Sequence, residues 1–212
     1  MMKTTIADIQ YFPVVDFFSK LIKSEKLIIE AQEHYQKQTF RNRTKILTAN
    51  GVQLLVVPVL KSHSKVIKDV KIDYSQRWQQ IHLRAIQTAY GKAPYFEHYI
   101  DAFSKTIMSK NVFLFDMNVD ILSNCLKFLK LDLEIDFTTT FTNGQVEGIN
   151  DMRGHFIPQK FVSMELERNT ELHNFQLFGN KFVNNLSVLD LILNEGTNAK
   201  HLLYKYSELN SD

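Results

Sequence analysis

Two short apolar runs joined by a single helix-spaced stripe, all within the first thirty residues, constrain the fold more than any other feature of this chain. Residues 4–10 (TTIADIQ) are short, apolar and β-branched and read as a strand. Pro13 suits the first turn of a helix, and Val14, Phe17, Phe18, Leu21 and Ile22 recur at helical spacing. Residues 27–30 (LIIE) read as a second strand. If both strands share a sheet, this tight βαβ start is parallel with a right-handed crossover.

The next segment, 34–43, is polar, basic and aromatic without a clear period and reads as a loop. Residues 44–48 and 52–58 then flank Ala49-Asn50-Gly51, and Asn-Gly between two β-branched runs signals a hairpin. Residues 66–72 add a further candidate strand. Beyond Asp73 the pattern turns helical: Trp78, Ile81, His82, Ala85, Ile86 and Ala89 form an amphipathic stripe that ends at Gly91 and Pro94. Helices are expected over 95–107, 118–129, 172–178 and 187–194, with Gly196 just past the last, and a late strand over 133–137. Residues 142–160 hold Gly144, Gly148, Gly154 and Pro158 and read as one long mobile loop able to act as a lid. The expected fold is a single α/β domain over 1–212. Its mixed sheet comes mainly from the N-terminal third, with helices in the middle and C-terminal part.

With 7 glycines and 4 prolines, collagen-like, linker-rich and turn-dense all-β designs are excluded. A net charge of +2 is too small to imply nucleic acid or an anionic membrane. Cys125 is the single cysteine and lies in an apolar helical pattern, so it reads as a buried small hydrophobe in a reducing compartment. The N-terminus lacks a secretory h-region, and no run of about 18 apolar residues exists, so a cytoplasmic chain without a transmembrane segment is expected. The seven histidines show no zinc spacing, and Gly-Lys-Ser/Thr, Gly-x-Gly-x-x-Gly and Gly-x-Ser-x-Gly motifs are absent. The expectation is no metal and no cofactor.

Several constellations have residue types suited to binding or catalysis. Gln10 and Tyr11 sit at the carboxyl end of the first strand, where open α/β sheets place ligands; the alternative is that Tyr11 is core and Gln10 a backbone cap. Lys37, Arg41, Asn42 and Arg43 cluster before the hairpin. In extended chain Arg41, Arg43 and Lys45 share one side, where Arg forks suit phosphate; the alternative is a solvated charged loop. His82 lies on the same helix face as Trp78 and serves either as a core histidine or, facing a cleft, as a general base. Asp151 and Arg153 supply charge to the candidate lid. Ser187 followed by Asp190 reads as a helix N-cap with a capping-box partner.

Taken in order, these pieces resemble the WbqC-like protein family. The resemblance rests on Gln10-Tyr11-Phe12-Pro13 with Phe17-Phe18, the segment from Lys37 to Arg41-Asn42-Arg43, and Asn50-Gly51 through Pro58. It continues through Trp78, His82 and Ala85, Ala93-Pro94-Tyr95-Phe96, and Asn185-Leu186-Ser187 to Asn194-Glu195-Gly196. The version here is similar to the branch common in Bacteroidetes. The resemblance implies a role near O-antigen and other surface polysaccharides, with glycine (aminoacyl) transfer suggested for some members. It carries no catalytic residue set.

Joined to the residue reading, it gives a cytoplasmic transferase acting on an anionic small-molecule precursor, phosphate- or nucleotide-bearing, and no nucleic-acid partner. In that expectation His82 is the general base, and Gln10, Tyr11, Lys37, Arg41, Asn42, Arg43, Trp78, Asp151 and Arg153 bind substrate. The alternative is a non-catalytic binding or assembly factor for cell-envelope synthesis.

Overall fold

A computed structural model describes residues 3–61, 66–141, 144, 148–156, 174–179 and 181–209. The βαβ start forms as the hydrophobic spacing requires. Strand β1 (Thr4–Asp8) leads into helix α1 (Val15–Leu21), which returns the chain to β2 (Lys26–Glu30), parallel to β1. Later strands β5 (Glu134–Phe137) and β6 (Ile149–Asp151) add to the two flanks, also parallel, giving the order β5-β2-β1-β6. The Asn-Gly hairpin closes between β3 (Arg43–Thr48) and β4 (Gly51–Val56) as a separate antiparallel pair, with Thr48 opposite Gly51. The fold is therefore α/β, with its parallel and antiparallel pairings in two distinct sheets.

Among the described residues five more helices follow: α2 (Trp78–Tyr90), α3 (Phe96–Met108), α4 (Leu114–Phe128), α5 (Val188–Glu195) and α6 (Ala199–Leu209). One continuous apolar core runs from β1 and α1 through the hairpin to α5. Phe103 sits near its middle with the rings of Phe12 and Phe128 each 5.3 Å away, edge-on, the arrangement aromatic quadrupoles favour. Cys125 is fully buried, and burial pushes its thiol pKa up, as an inert core residue requires. None of the described helices is long and apolar enough to cross a membrane.

The β1–α1 turn knots the fold together. Phe12 is buried at a φ of +45°, a region that a bulky residue enters only when neighbours hold it there. Thr44 on β3 donates its hydroxyl to the Phe12 carbonyl at 2.9 Å, and Ser187 reaches the same oxygen at 3.5 Å. Backbone bonds from Tyr11 to Phe40 and from Val188 to Pro13 fasten the same turn to the loop before β3 and to α5.

Several sequence readings change. Residues 66–72 are not a strand. Val66 makes a lone bridge to His34, Ile67–Asp69 form a 3-10 turn, and Lys71 and Ile72 bridge elsewhere. The buried positions Ile67, Val70 and Ile72 are spaced three and two apart, which a two-residue alternation cannot satisfy. Helix α4 begins at Leu114, four residues earlier than expected, because buried Leu114, Phe115 and Met117 extend its apolar face without a capping residue to mark the start. Ile81, placed on the buried stripe of α2, is 56% exposed.

The 142–160 segment is not loop throughout. Ile149–Asp151 form β6, too short for a pattern signal and stabilised by pairing with β1. Residues 142–143, 145–147 and 157–160 of the expected lid lie outside the described residues. So do 172–173 of the helix expected over 172–178, and 174–178 are not helical. Ser187 does cap α5, accepting from Leu189 N at 3.2 Å. Asp190 instead points into a buried cluster with Asn174 and Gln176.

Gly196 follows α5 at a φ of +53°, and a Cβ there would lie 2.4 Å from the Tyr95 ring. Gly196→Ala should therefore cost about 1–3 kcal/mol through overpacking and backbone strain. Thermal unfolding should show a Tm lower by roughly 3–10 °C; an unchanged Tm would contradict this packing.

Candidate functional site

Three neighbouring parallel strands end in acidic residues at the same edge of the sheet: Asp8 on β1, Glu30 on β2 and Asp151 on β6. The register sets Asp8 beside Glu30 and Asp151 beside Ile6, so the carboxylates gather where open α/β sheets bind ligands. Glu33 follows just after β2, Arg41 enters from the loop before β3, and Arg153 comes from the turn after β6. These six residues, with Gln32, His34, Gln36, Phe141, Gly144 and Gly154, line a cleft of about 610 Å³.

Two guanidiniums organise it. Arg41, 3% exposed, donates from Nε to Glu33 Oε1 at 2.7 Å and from Nη2 to Glu33 Oε2, and its Nη2 lies 3.2 Å from Asp8 Oδ2. Burial disfavours its charge, but the bonds it donates to Glu33 and the charge of Asp8 outweigh that. Arg153 donates from Nη2 to Asp151 Oδ2 at 2.7 Å, from Nη1 to Glu30 Oε2 at 3.2 Å and from Nη2 to the Gly144 carbonyl at 2.7 Å. Glu30 is fully buried and also accepts from Thr138 Oγ1 at 2.5 Å and Gln32 N at 2.9 Å. Gly154 N donates to Asp8 Oδ2 at 2.7 Å and ties the two clusters together.

Glu33 has the electrostatics of a proton-transfer group. Burial is the main cause that raises its pKa from 4.5 to about 7; the charge of Asp8 and a hydrogen bond with it add to this, and the Arg41 hydrogen bond opposes it. A carboxyl poised there can take up and return a proton near neutral pH.

The expected site residues divide. Arg41, Asp151 and Arg153 meet in this one cleft although more than a hundred positions separate Arg41 from the other two. The role of Arg41 is corrected: its fork is occupied by Glu33 and Asp8, so it does not present a free charge to phosphate. Tyr11, Trp78 and His82 do not line the cleft and form a buried cluster, with Tyr11 Oη 2.8 Å from His82 Nδ1 and the Trp78 and His82 rings 5.1 Å apart. Desolvation lowers the His82 pKa to about 4, so at neutral pH it is an uncharged, 3%-exposed core histidine hydrogen-bonded also to the Val56 carbonyl. Of the two readings of His82, its burial away from the cleft matches the core histidine.

Gln10 is buried, its Oε1 accepting at 3.5 Å from the backbone N of Val14, the residue that precedes α1. Asn42 is buried and donates to the Val57 carbonyl at 2.8 Å. Lys37 is exposed, and Arg43 is half-buried at the start of β3.

Asp8, Glu30 and Glu33 were not anticipated. Their signal was available: an acidic residue closing each apolar strand run, TTIAD and KLIIE, is otherwise a poor choice for a buried position. Among the described residues no group of three or more His, Cys, Asp or Glu is arranged to hold a metal ion.

The model of the WbqC-like protein family matches residues 9–167. The chain belongs to this family. In this WbqC-like chain the match takes in Glu30, Glu33, Arg41, Asp151 and Arg153, and Asp8 lies one residue before it. The uncharacterized protein Rv1507c of Mycobacterium tuberculosis is 32% identical over 104 residues, 48% of this chain and 44% of that protein. The matched region is thus under half of that relative's length. No solved structure matches the chain.

Two measurements check this arrangement. Arg41→Met leaves Asp8 and Glu33 buried without their counter-charge and should cost about 3–5 kcal/mol at pH 7 by chemical denaturation, with a smaller loss at pH 5, where Glu33 carries its proton. For Glu33 the folded pKa lies above the unfolded one. Its stabilisation is therefore complete below about pH 4.5 and lost as pH rises through about 7. Measured against Glu33→Gln, the wild-type stability should fall over that window by an amount on the order of 3 kcal/mol; a flat difference would remove Glu33 as a perturbed group.

Proposed function

We propose that this protein is a cytoplasmic transferase in surface-polysaccharide (O-antigen-type) biosynthesis, acting on an activated, phosphate- or nucleotide-bearing precursor, with aminoacyl (glycine) transfer as its specific form. The observation that carries the reading is Glu33, buried beside Asp8, gripped by Arg41 and opening on the cleft. Family membership supports a biosynthetic role.

In this reading an acceptor hydroxyl or amine enters the cleft and gives its proton to the Glu33 carboxylate. The freed lone pair attacks the activated carbonyl of the donor. The bond to the leaving group breaks as the new bond forms, and Glu33 returns the proton to the leaving group. Arg41 is a positioning residue, because it fixes the Glu33 carboxyl plane through two parallel bonds. Asp8 tunes Glu33 by placing a second negative charge beside it. Arg153, paired with Asp151 and Glu30, shapes the opposite wall.

The second reading, an assembly factor without catalysis, draws on Val52 and Leu54, which stand about half exposed on one side of β4. A thermal-shift panel of nucleotides, nucleotide-sugars, coenzyme A thioesters and sugar phosphates separates the two. A ligand at a hundred times its Kd adds about 2.7 kcal/mol, roughly 5–10 °C for a chain of this size.

Turnover of the responding ligand should rise with pH through about 7, following ionisation of Glu33. Glu33→Gln should lose about 10²–10⁴ in kcat with little change in KM. A flat panel with folded protein would move the function to the assembly reading, and full activity in Glu33→Gln would remove the proton-transfer role.

A further inference from the structure

The cleft commits Arg41 and Arg153 to carboxylates, whereas among the described residues Arg43, two positions after Arg41, has none. Among the described residues the Arg43 side chain has no ion pair and no hydrogen bond, and its Nε is buried with no acceptor. An N–H that has left water without finding an acceptor is an unspent donor, and a guanidinium so placed is unlike Arg41 and Arg153, whose donors are met by carboxylates.

Tyr35 stands beside it, half-buried with its ring against the core. Its hydroxyl likewise makes no hydrogen bond to a described residue. Its chain neighbours His34 and Gln36 both line the cleft, and its phenol feels the charge of both Arg41 and Arg43. Burial pushes its pKa up and the two guanidiniums oppose that, so the phenol keeps its proton at neutral pH and remains a donor. Lys45, two residues along β3, shares the Arg43 side of the strand by the alternation of side chains.

We propose that Arg43 and Tyr35 form an anion subsite at the edge of the cleft that takes a phosphoryl or diphosphoryl group of a small-molecule substrate. The guanidinium fork matches two phosphoryl oxygens, and the phenol supplies a further donor. The Asp8 and Glu33 carboxylates repel an anion from the cleft itself, so charge and geometry together divide the ligand. Its phosphoryl end lies on Arg43, and an uncharged hydroxyl- or amine-bearing end extends past Tyr35 toward Glu33. The second half of this assignment rests on the reading of the cleft as the site of proton transfer; the subsite does not.

Isothermal titration with inorganic pyrophosphate at low ionic strength tests it without any turnover. Wild type should bind. Arg43→Ala should weaken binding tenfold or more, the scale of one charge-assisted pair. Arg43→Lys, which keeps the charge and the strand but not the fork, should fall between them. Tyr35→Phe should weaken binding by a smaller factor, and Glu33→Gln should bind at least as tightly as wild type because it removes a repelling charge.

No binding by wild type at millimolar pyrophosphate, or equal binding by Arg43→Ala and wild type, overturns the subsite. Binding that depends on Arg43 while Glu33→Gln turns over normally keeps the subsite and discards only the proton-transfer reading.

Discussion

The buried guanidinium of Arg41 between Asp8 and Glu33 is the interaction on which the site depends. Without it two carboxylates at the end of a parallel sheet would repel one another in a poorly solvated position, and the segment before β3 would have no reason to cross the strand ends. Its backbone is held as firmly as its side chain, since Asn118 on α4 donates to the Arg41 carbonyl at 2.7 Å. One residue thereby links the sheet, the hairpin and the helical layer. Such a pair adds little net stability against an apolar replacement, because desolvating three charges offsets their attraction. Its value is in fixing geometry; the raised pKa of Glu33 comes mainly from burial, with the Arg41 hydrogen bond acting against it.

The β1–α1 turn provides the frame around this interaction. A buried Phe at positive φ costs on the order of 1–3 kcal/mol in strain. The bonds from Thr44 and Ser187 to its carbonyl, together with the packing of its ring against Phe103, offset it. The turn cannot relax without disturbing β3, α5 and the core together, so Asp8 and Arg41 are held in register. At the far side of α5, Asp190 has a pKa that burial raises to about 6, and its Oδ2 accepts from Asn174 and Gln176 while Gln176 pairs with the Val183 backbone. One buried carboxylate thus pins the described part of the chain that precedes α5.

Charge within the site is sorted. Four carboxylates and two guanidiniums line the cleft, and each guanidinium is committed to a carboxylate. The resulting surface favours neutral polar or cationic groups at the strand ends, and the proposed anion subsite on Arg43 lies apart from these carboxylates. A substrate carrying a phosphoryl group would be oriented by this asymmetry before any specific contact formed, as fixed fields steer charged ligands.

The sequence by itself determined the elements whose pattern is local. The βαβ start, the Asn50-Gly51 hairpin, helix α2 and the Ser187 cap follow from apolar spacing, a turn glycine at positive φ and hydroxyl capping, all of which act over a few residues. It also marked Arg41, Asp151 and Arg153 as candidates, because charged residues beside breakers and strand ends stand out. The tertiary structure decided everything that depends on distant segments meeting. Strand β6 has three residues and exists through its partner β1. His82 is a neutral core residue because burial takes its ring out of water, while Tyr11, seventy-one positions away, and the Val56 carbonyl take up its ring nitrogens. Arg41 is spent on Glu33 and Asp8, whereas Arg43, two residues later, is not. Hydrogen bonds and desolvation act between neighbours in space, and a linear pattern carries no measure of which distant carboxylate will reach which guanidinium.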